Sequence, residues 1–173
     1  MTTTSVETRD TIDAILGVAP GSTIAALRAE KPVLAQQDQA YYEAIFDPTP
    51  ASREAFSLRD RALVAVRVAS HTRSTAVIDW YTALAASEGA SDNEIERVQD
   101  LTNTWSADSV LGAAIRHADL LTTSPSAATA DDLQQLKTAG FTPAGILALS
   151  QTIAFVSYQL RLIAGLRALG ATR

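Results

Sequence analysis

The hydrophobic and polar positions of this chain show no sustained alternation of the kind that a half-buried β-strand requires. No segment is enriched in β-branched residues at a period of two. Ala, Leu, Glu, Gln and Arg, which favour helices, dominate the segments between turn signals. The pattern therefore predicts an all-α protein.

Capping and helix-stopping residues divide the chain into a series of predicted helices. Ser91 and Glu94 have the spacing of a capping box, and Gly89 is expected to end the preceding helix in a left-handed conformation. The segment 47–52, with two prolines in six residues, is predicted to be a linker. The segment 122–129 is predicted to be a loop. The predicted helices cover about residues 8–16, 23–30, 32–46, 58–70, 74–88, 92–102, 106–122, 129–139 and 143–169.

The last predicted helix is apolar around its whole circumference, with a stretch of 19 residues, 142–160, that carries no charge. Its Thr, Ser and Gln side chains are too polar for a lone helix in hydrocarbon, so we expect no membrane span. A helix that is apolar on all sides is buried on most of them. In a chain of this size a second subunit is expected to cover part of it, which predicts a symmetric homo-oligomer.

Composition narrows the possible chemistry. The chain has 173 residues, of which 47% are hydrophobic and 19% charged, and its formal net charge is −5. These values fit a single soluble domain without the basic surface that nucleic acid requires. The absence of cysteine excludes disulfides, thiolate metal sites and thiol redox chemistry. The first ten residues, MTTTSVETRD, lack the apolar core of a signal peptide, so a cytoplasmic location is expected.

Two segments carry a family resemblance. Residues 58–95, LRDRALVAVRVASHTRSTAVIDWYTALAASEGASDNEI, resemble the core helical hairpin of the alkylhydroperoxidase D-like family, also called carboxymuconolactone decarboxylase-like. Residues 110–170 resemble the C-terminal half of its peroxidase-related branch. The resemblance implies one all-α domain over residues 1–173, with variable N-terminal helices in 1–50 and the family core in 51–170. It also implies assembly as a dimer, trimer or hexamer.

The resemblance also locates the family's redox site. Family members typically carry a Glu, then after eleven residues a Cys-x-x-Cys, then three residues and a His. In this sequence that frame falls on Ala62, Ser74, Val77 and Tyr81, here called the four frame positions. The family's first thiolate attacks the peroxide, the second resolves the sulfenic acid, and Glu and His move protons. None of the four residues here supports this chemistry, so we predict no thiol peroxidase activity. We also predict that the protein holds no cofactor and no metal.

Some candidate site residues have two interpretations each. Ser74 and Tyr81 either form a new polar site in the old pocket, or line the helix start and pack with a hydrogen-bonded hydroxyl. His71, at the predicted hairpin turn, either acts as a general base for Ser74 or water, or is a surface histidine. We favour the structural interpretation for each of them.

The remaining candidates are also expected to be structural. His117 is expected to be a partly buried, hydrogen-bonded histidine, and the two histidines of the chain lack the spacing of metal ligands. Asp60 and Arg67 lie two helical turns apart and are expected to take part in ion pairs that bridge helices. Trp80 is expected to pack in the core or at a subunit interface, with an apolar ligand pocket as the alternative.

Three functional hypotheses follow. In the first, the chain is a degenerate or non-enzymatic family member that serves binding or scaffold roles, and the region of the four frame positions is filled. In the second, a non-redox enzyme, by analogy with the lactone decarboxylase branch, uses the same inter-helix pocket with His71 or Tyr81 as acid or base. In the third, the chain pairs with a cysteine-bearing relative. We favour the first hypothesis.

Overall fold

The computed structural model describes residues 10–171, which form ten α-helices and no β-strand. The all-α prediction is therefore confirmed for this part of the chain. The helices are α1 Thr11–Leu16, α2 Thr23–Ala29, α3 Pro32–Phe46, α4 Pro50–Ala55, α5 Leu58–Ser70, α6 Thr75–Ser87, α7 Asp92–Gln99, α8 Val110–Thr123, α9 Ala130–Thr138 and α10 Pro143–Gly170.

Most helix ends lie where the local sequence predicts them. The Ser57 hydroxyl accepts a hydrogen bond from the backbone N–H of Asp60, and Ser91 and Glu94 form the predicted capping box. Gly89 adopts a left-handed φ of 87° after α6. Thr142 caps α10, with Pro143 at its first position. The predicted start of the first helix at residue 8 lies outside the described residues.

Several segments differ from the prediction. The predicted linker 47–52 is shorter than expected, because α4 begins within it at Pro50. Proline is tolerated there, since the N–H groups of the first helical turn have no partner within the helix. Helix α7 ends at Gln99, where the Asp100 carboxylate accepts hydrogen bonds from Thr102 instead. The 122–129 loop contains a short 3-10 turn, Pro125–Ala127. Local turn chemistry therefore decides each of these ends.

Helix α8 begins at Val110 and not near residue 106. Its N-cap is Ser109, whose hydroxyl accepts from the N–H of Gly112 at 3.1 Å. The carbonyl of Ser106 lies so close to the Cα of Gly112 that any Cβ there would clash with it. Ser106 therefore belongs to a turn folded against the start of α8, and the glycine makes that close approach possible.

Helix α5 is the centre of the core. Eleven of its thirteen residues are buried, and it packs against α6, α7, α8 and α10. One of the buried residues is Arg61, whose guanidinium donates to the carbonyls of Ile45, Ser52 and Phe56 at 2.6–2.9 Å. Burial lowers the pKa of Arg61. This side chain ties the α3–α4 connection to the central helix through three backbone carbonyls and the hydroxyl of Ser52.

Helix α10, with 28 residues, is long and apolar enough to cross a membrane by length and composition. Half of its most apolar 18-residue window is buried within the protein. Leu149, Phe155 and Ile163 are among the residues that it contributes to the core. Leu147, Tyr158 and Leu169 are more than two-fifths exposed, so the opposite side of the helix carries an uncovered apolar surface.

Candidate functional site

The four frame positions lie on the α5–α6 hairpin. Ala62 is in α5, Ser74 is the residue before α6, and Val77 and Tyr81 are in the first two turns of α6. Ala62, Val77 and Tyr81 have no exposed surface and belong to one hydrophobic core. Three of the four positions are therefore closed to solvent.

Tyr81 forms a polar contact inside this core. Its hydroxyl donates a hydrogen bond of 2.6 Å to Oε1 of Gln159 in α10, which is also fully buried. Its ring lies 5.1 Å from the ring of Phe46. Burial is the largest cause that raises the pKa of Tyr81 well above its usual value. The tyrosine is thus a neutral donor that links α6 to α10.

Ser74 occupies the N-cap position of α6, but its hydroxyl makes no capping hydrogen bond. The Oγ atom is buried and has no hydrogen-bond partner among the described residues. Arg73, just before it, has a left-handed φ of 54°, which is uncommon for a residue with a side chain. The tight α5–α6 turn therefore holds the serine hydroxyl away from both solvent and any base.

His71 pairs with Asp119 of α8 and not with Ser74. Its Nε2 lies 2.8 Å from Oδ1 of Asp119, and 18% of the side chain is exposed. Arg67 holds the same carboxylate from the other side through Nε at 2.7 Å and Nη2 at 2.9 Å. A carboxylate fixed in this way orients the imidazole. The cluster is an ordered acid–base pair at the edge of the hairpin.

The other predicted candidates have structural neighbours. Asp60 pairs with the adjacent Arg59, whereas Arg67 makes the inter-helix ion pair. Trp80 is partly buried, and its indole N–H donates to the hydroxyl of Tyr42 at 3.3 Å. The expected packing role of Trp80 therefore takes the form of a contact between α6 and α3.

His117 is buried in α8, and burial lowers its pKa. It was expected to be hydrogen-bonded, yet its electrostatic partner is Asp132 of α9, and no hydrogen bond joins the ring to another described residue. The expectation of burial is met, and that of a hydrogen bond to a described residue is not.

Sequence reasoning missed Gln159 and Asp119, the partners that give Tyr81 and His71 their roles. Gln159 is an amide in an otherwise apolar stretch, which is a signal for a buried polar contact. Asp119 lies two residues from His117, and the periodicity of a helix places the two on different faces. Nothing local links Asp119 to His71, which lies 48 residues earlier.

In the described part of the protein, two cavities bear on ligand binding. One is a groove of about 910 Å³ bordered by α1, α2 and α3, and the other is a cleft of about 170 Å³ between α8 and α9. Neither is lined by a frame position or by His71. Within residues 10–171, no three His, Asp or Glu side chains are arranged to hold a metal ion.

No protein-family model, no curated protein and no solved structure matches the chain.

Proposed function

We propose that the chain is an alkylhydroperoxidase D-like helical protein without thiol redox chemistry, which serves as a self-associating binding or scaffold protein. The absence of cysteine in all 173 residues supports the loss of the redox step. The complete burial of Ala62, Val77 and Tyr81 supports the view that the former site is now core. A hydroperoxide has no route to these three side chains.

The observation that carries the proposal is the hydrogen bond between Tyr81 and Gln159. In the family, the residue at the frame position of Tyr81 is a His that carries protons. Such a residue must exchange protons with substrate or solvent. Here the hydroxyl is buried, donates at 2.6 Å to an amide and has a raised pKa. A group in this state stabilises the contact between α6 and α10 and releases no proton near neutral pH.

The exposed side of the molecule supports self-association. Leu34 and Tyr41 of α3 and Leu147 and Tyr158 of α10 are each at least 38% exposed. The buried ring of Phe155 lies 4.8 Å from Tyr41 and 6.4 Å from Tyr158, so these two exposed tyrosines lie on neighbouring parts of α3 and α10. We call the exposed side formed by these four residues the α3–α10 face. Exposed apolar patches of this kind mark protein contacts.

Two measurements test the loss of the site. The purified protein is expected to show no dithiol-dependent reduction of hydroperoxides, and measurable turnover would overturn the proposal. Nitration of the folded protein with tetranitromethane, followed by peptide mass spectrometry, is expected to leave Tyr81 untouched, because it has no exposed surface. The urea-unfolded protein is the control and is expected to be nitrated at Tyr81. Rapid nitration of Tyr81 would mean that the pocket is open.

A second candidate function is non-redox acid–base catalysis. It is favoured by one observation, the pairing of a partly exposed His71 with an Asp119 that Arg67 holds in place. If the pair is catalytic, the protein is expected to release CO₂ from a carboxylated γ-lactone. The His71→Gln variant is expected to abolish this release, and the control His117→Gln is expected to leave it unchanged. Lack of release by the unaltered protein, or release that persists in His71→Gln, removes this candidate.

A further inference from the structure

The cleft between α8 and α9 has polar side chains of opposite charge above an apolar floor. Its volume is about 170 Å³. Leu120 and Leu136 are among its apolar lining residues. Its polar walls are formed by Arg116 and His117 of α8 and by Asp132 and Gln135 of α9.

Asp132 is fixed and ionised. The N–H and the hydroxyl of Thr129 both donate to its Oδ2 atom at 2.8 Å, and these bonds are the main causes that lower its pKa. His117 faces the same cleft but makes no ion pair with Asp132, although the two interact electrostatically. Space therefore separates an anionic acceptor from a neutral imidazole.

Arg116 supplies the opposite charge. Its one hydrogen bond to a described residue runs from Nη1 to the carbonyl of Trp105 and is long, 3.5 Å. Most of the five guanidinium N–H donors are therefore available to a ligand, and their planar arrangement matches a carboxylate. The cleft thus presents a carboxylate-binding group and an ammonium-binding group within one small volume.

The volume limits the size of the ligand. Pockets for drug-sized molecules measure roughly 300–1,000 Å³. At about 170 Å³ the cleft lies below this range, so it suits a ligand smaller than a drug-sized molecule.

We propose that this cleft binds a small zwitterion of the α-amino acid class. Arg116 binds the carboxylate, Asp132 binds the ammonium group, and the neutral imidazole of His117 accepts a further hydrogen bond from it. Leu120 and Leu136 contact a short apolar side chain. The site is separate from the four frame positions, so it does not depend on the proposed loss of redox function.

The test is a titration of the full-length protein, followed by ¹H–¹⁵N NMR, with L-alanine, propionate and ethylamine as probes. L-alanine is expected to cause saturable shifts in α8 and α9. Propionate and ethylamine each lack one charged group and are expected to bind at least tenfold more weakly. If propionate binds as tightly as L-alanine, the cleft is a simple anion site and the proposal is overturned. The absence of saturable shifts with L-alanine would also overturn it.

Arg116→Gln is the decisive variant, because the side chain is exposed and its removal leaves the core intact. It is expected to weaken L-alanine binding at least tenfold without changing the thermal midpoint. Arg161→Gln, which alters an exposed arginine of α10, is the matched control and is expected to bind as the unaltered protein does. Asp132 is left in place because it also holds the start of α9. Unchanged affinity in Arg116→Gln would overturn the assignment.

Discussion

At the scale of single residues, Tyr81 and Gln159 depend on each other. Each is fully buried, and the tyrosine hydroxyl is the hydrogen-bond partner of the amide oxygen, whereas the amide Nε2 atom has no partner among the described residues. A buried polar atom without a partner keeps its full desolvation penalty. Removal of the hydroxyl therefore leaves both polar atoms of Gln159 unpaired.

We predict that Tyr81→Phe lowers the free energy of unfolding by about 1–3 kcal/mol, because it leaves a buried acceptor unsatisfied. Urea denaturation measures the change. Tyr41→Phe, at an exposed position, is the control and is expected to change the free energy of unfolding by less than about 0.5 kcal/mol.

The double variant Tyr81→Phe/Gln159→Leu isolates the polar contact, because replacing both partners by apolar groups of similar shape removes the unpaired atoms as well. It is expected to be more stable than Tyr81→Phe alone. If Tyr81→Phe is as stable as the unaltered protein, the hydrogen bond contributes nothing to the α6–α10 contact.

At the scale of helices, the capping box of α7 also joins it to α5. The Glu94 carboxylate accepts hydrogen bonds from the N–H and hydroxyl of Ser91, and Arg59 of α5 forms an ion pair with it. The bonds from Ser91, and then that from Arg59, lower the pKa of Glu94 to about 2. The same side chain therefore starts one helix and contacts another.

This pKa predicts acid sensitivity. Because the carboxyl titrates at about 2 in the folded protein and near 4.5 ordinarily, its contribution to stability is complete above pH 4.5 and declines as the pH falls towards 2. In Glu94→Gln, the thermal midpoint is expected to fall by less between pH 4.5 and pH 2 than in the unaltered protein. Glu96→Gln, an exposed acid on the same helix, is the control and is expected to keep the full fall. A fall identical in all three proteins would contradict the prediction.

Helix ends marked by a capping box or by a helix-ending glycine were predictable, and those that depend on how a particular turn folds were not. Ser91 with Glu94, and Gly89, act through neighbours in the sequence. The start of α8 depends on a carbonyl that packs against Gly112. In the candidate site, the burial of Tyr81 was anticipated, but its partner Gln159 lies 78 residues away and no local signal connects the two.

At the scale of the whole molecule, the proposed self-association depends on the α3–α10 face. Its residues are exposed in one chain although they are apolar or aromatic, and a second copy of the chain would bury them. A charge placed in the middle of such a contact is desolvated without a partner and opposes association.

We predict that the unaltered protein is larger than a monomer in light scattering coupled to size-exclusion chromatography, and that Leu147→Glu shifts it towards the monomer. Leu147 is 59% exposed, so the substitution leaves the core of the single chain intact. Leu133→Glu, at a position of α9 that is 42% exposed, is the control and is expected to keep the assembly. A monomeric unaltered protein would exclude self-association.

The burial of Ala62 limits which residues this position can accept. A glutamate there places a carboxylate where no solvent reaches, which is strongly destabilising unless a partner is added at the same time. Histidine in place of Tyr81 changes the length and direction of the group that donates to Gln159, so the buried amide loses the fitted contact that it has now. The packing of the α5–α6 hairpin is therefore itself a barrier to placing an ionisable proton carrier at either position.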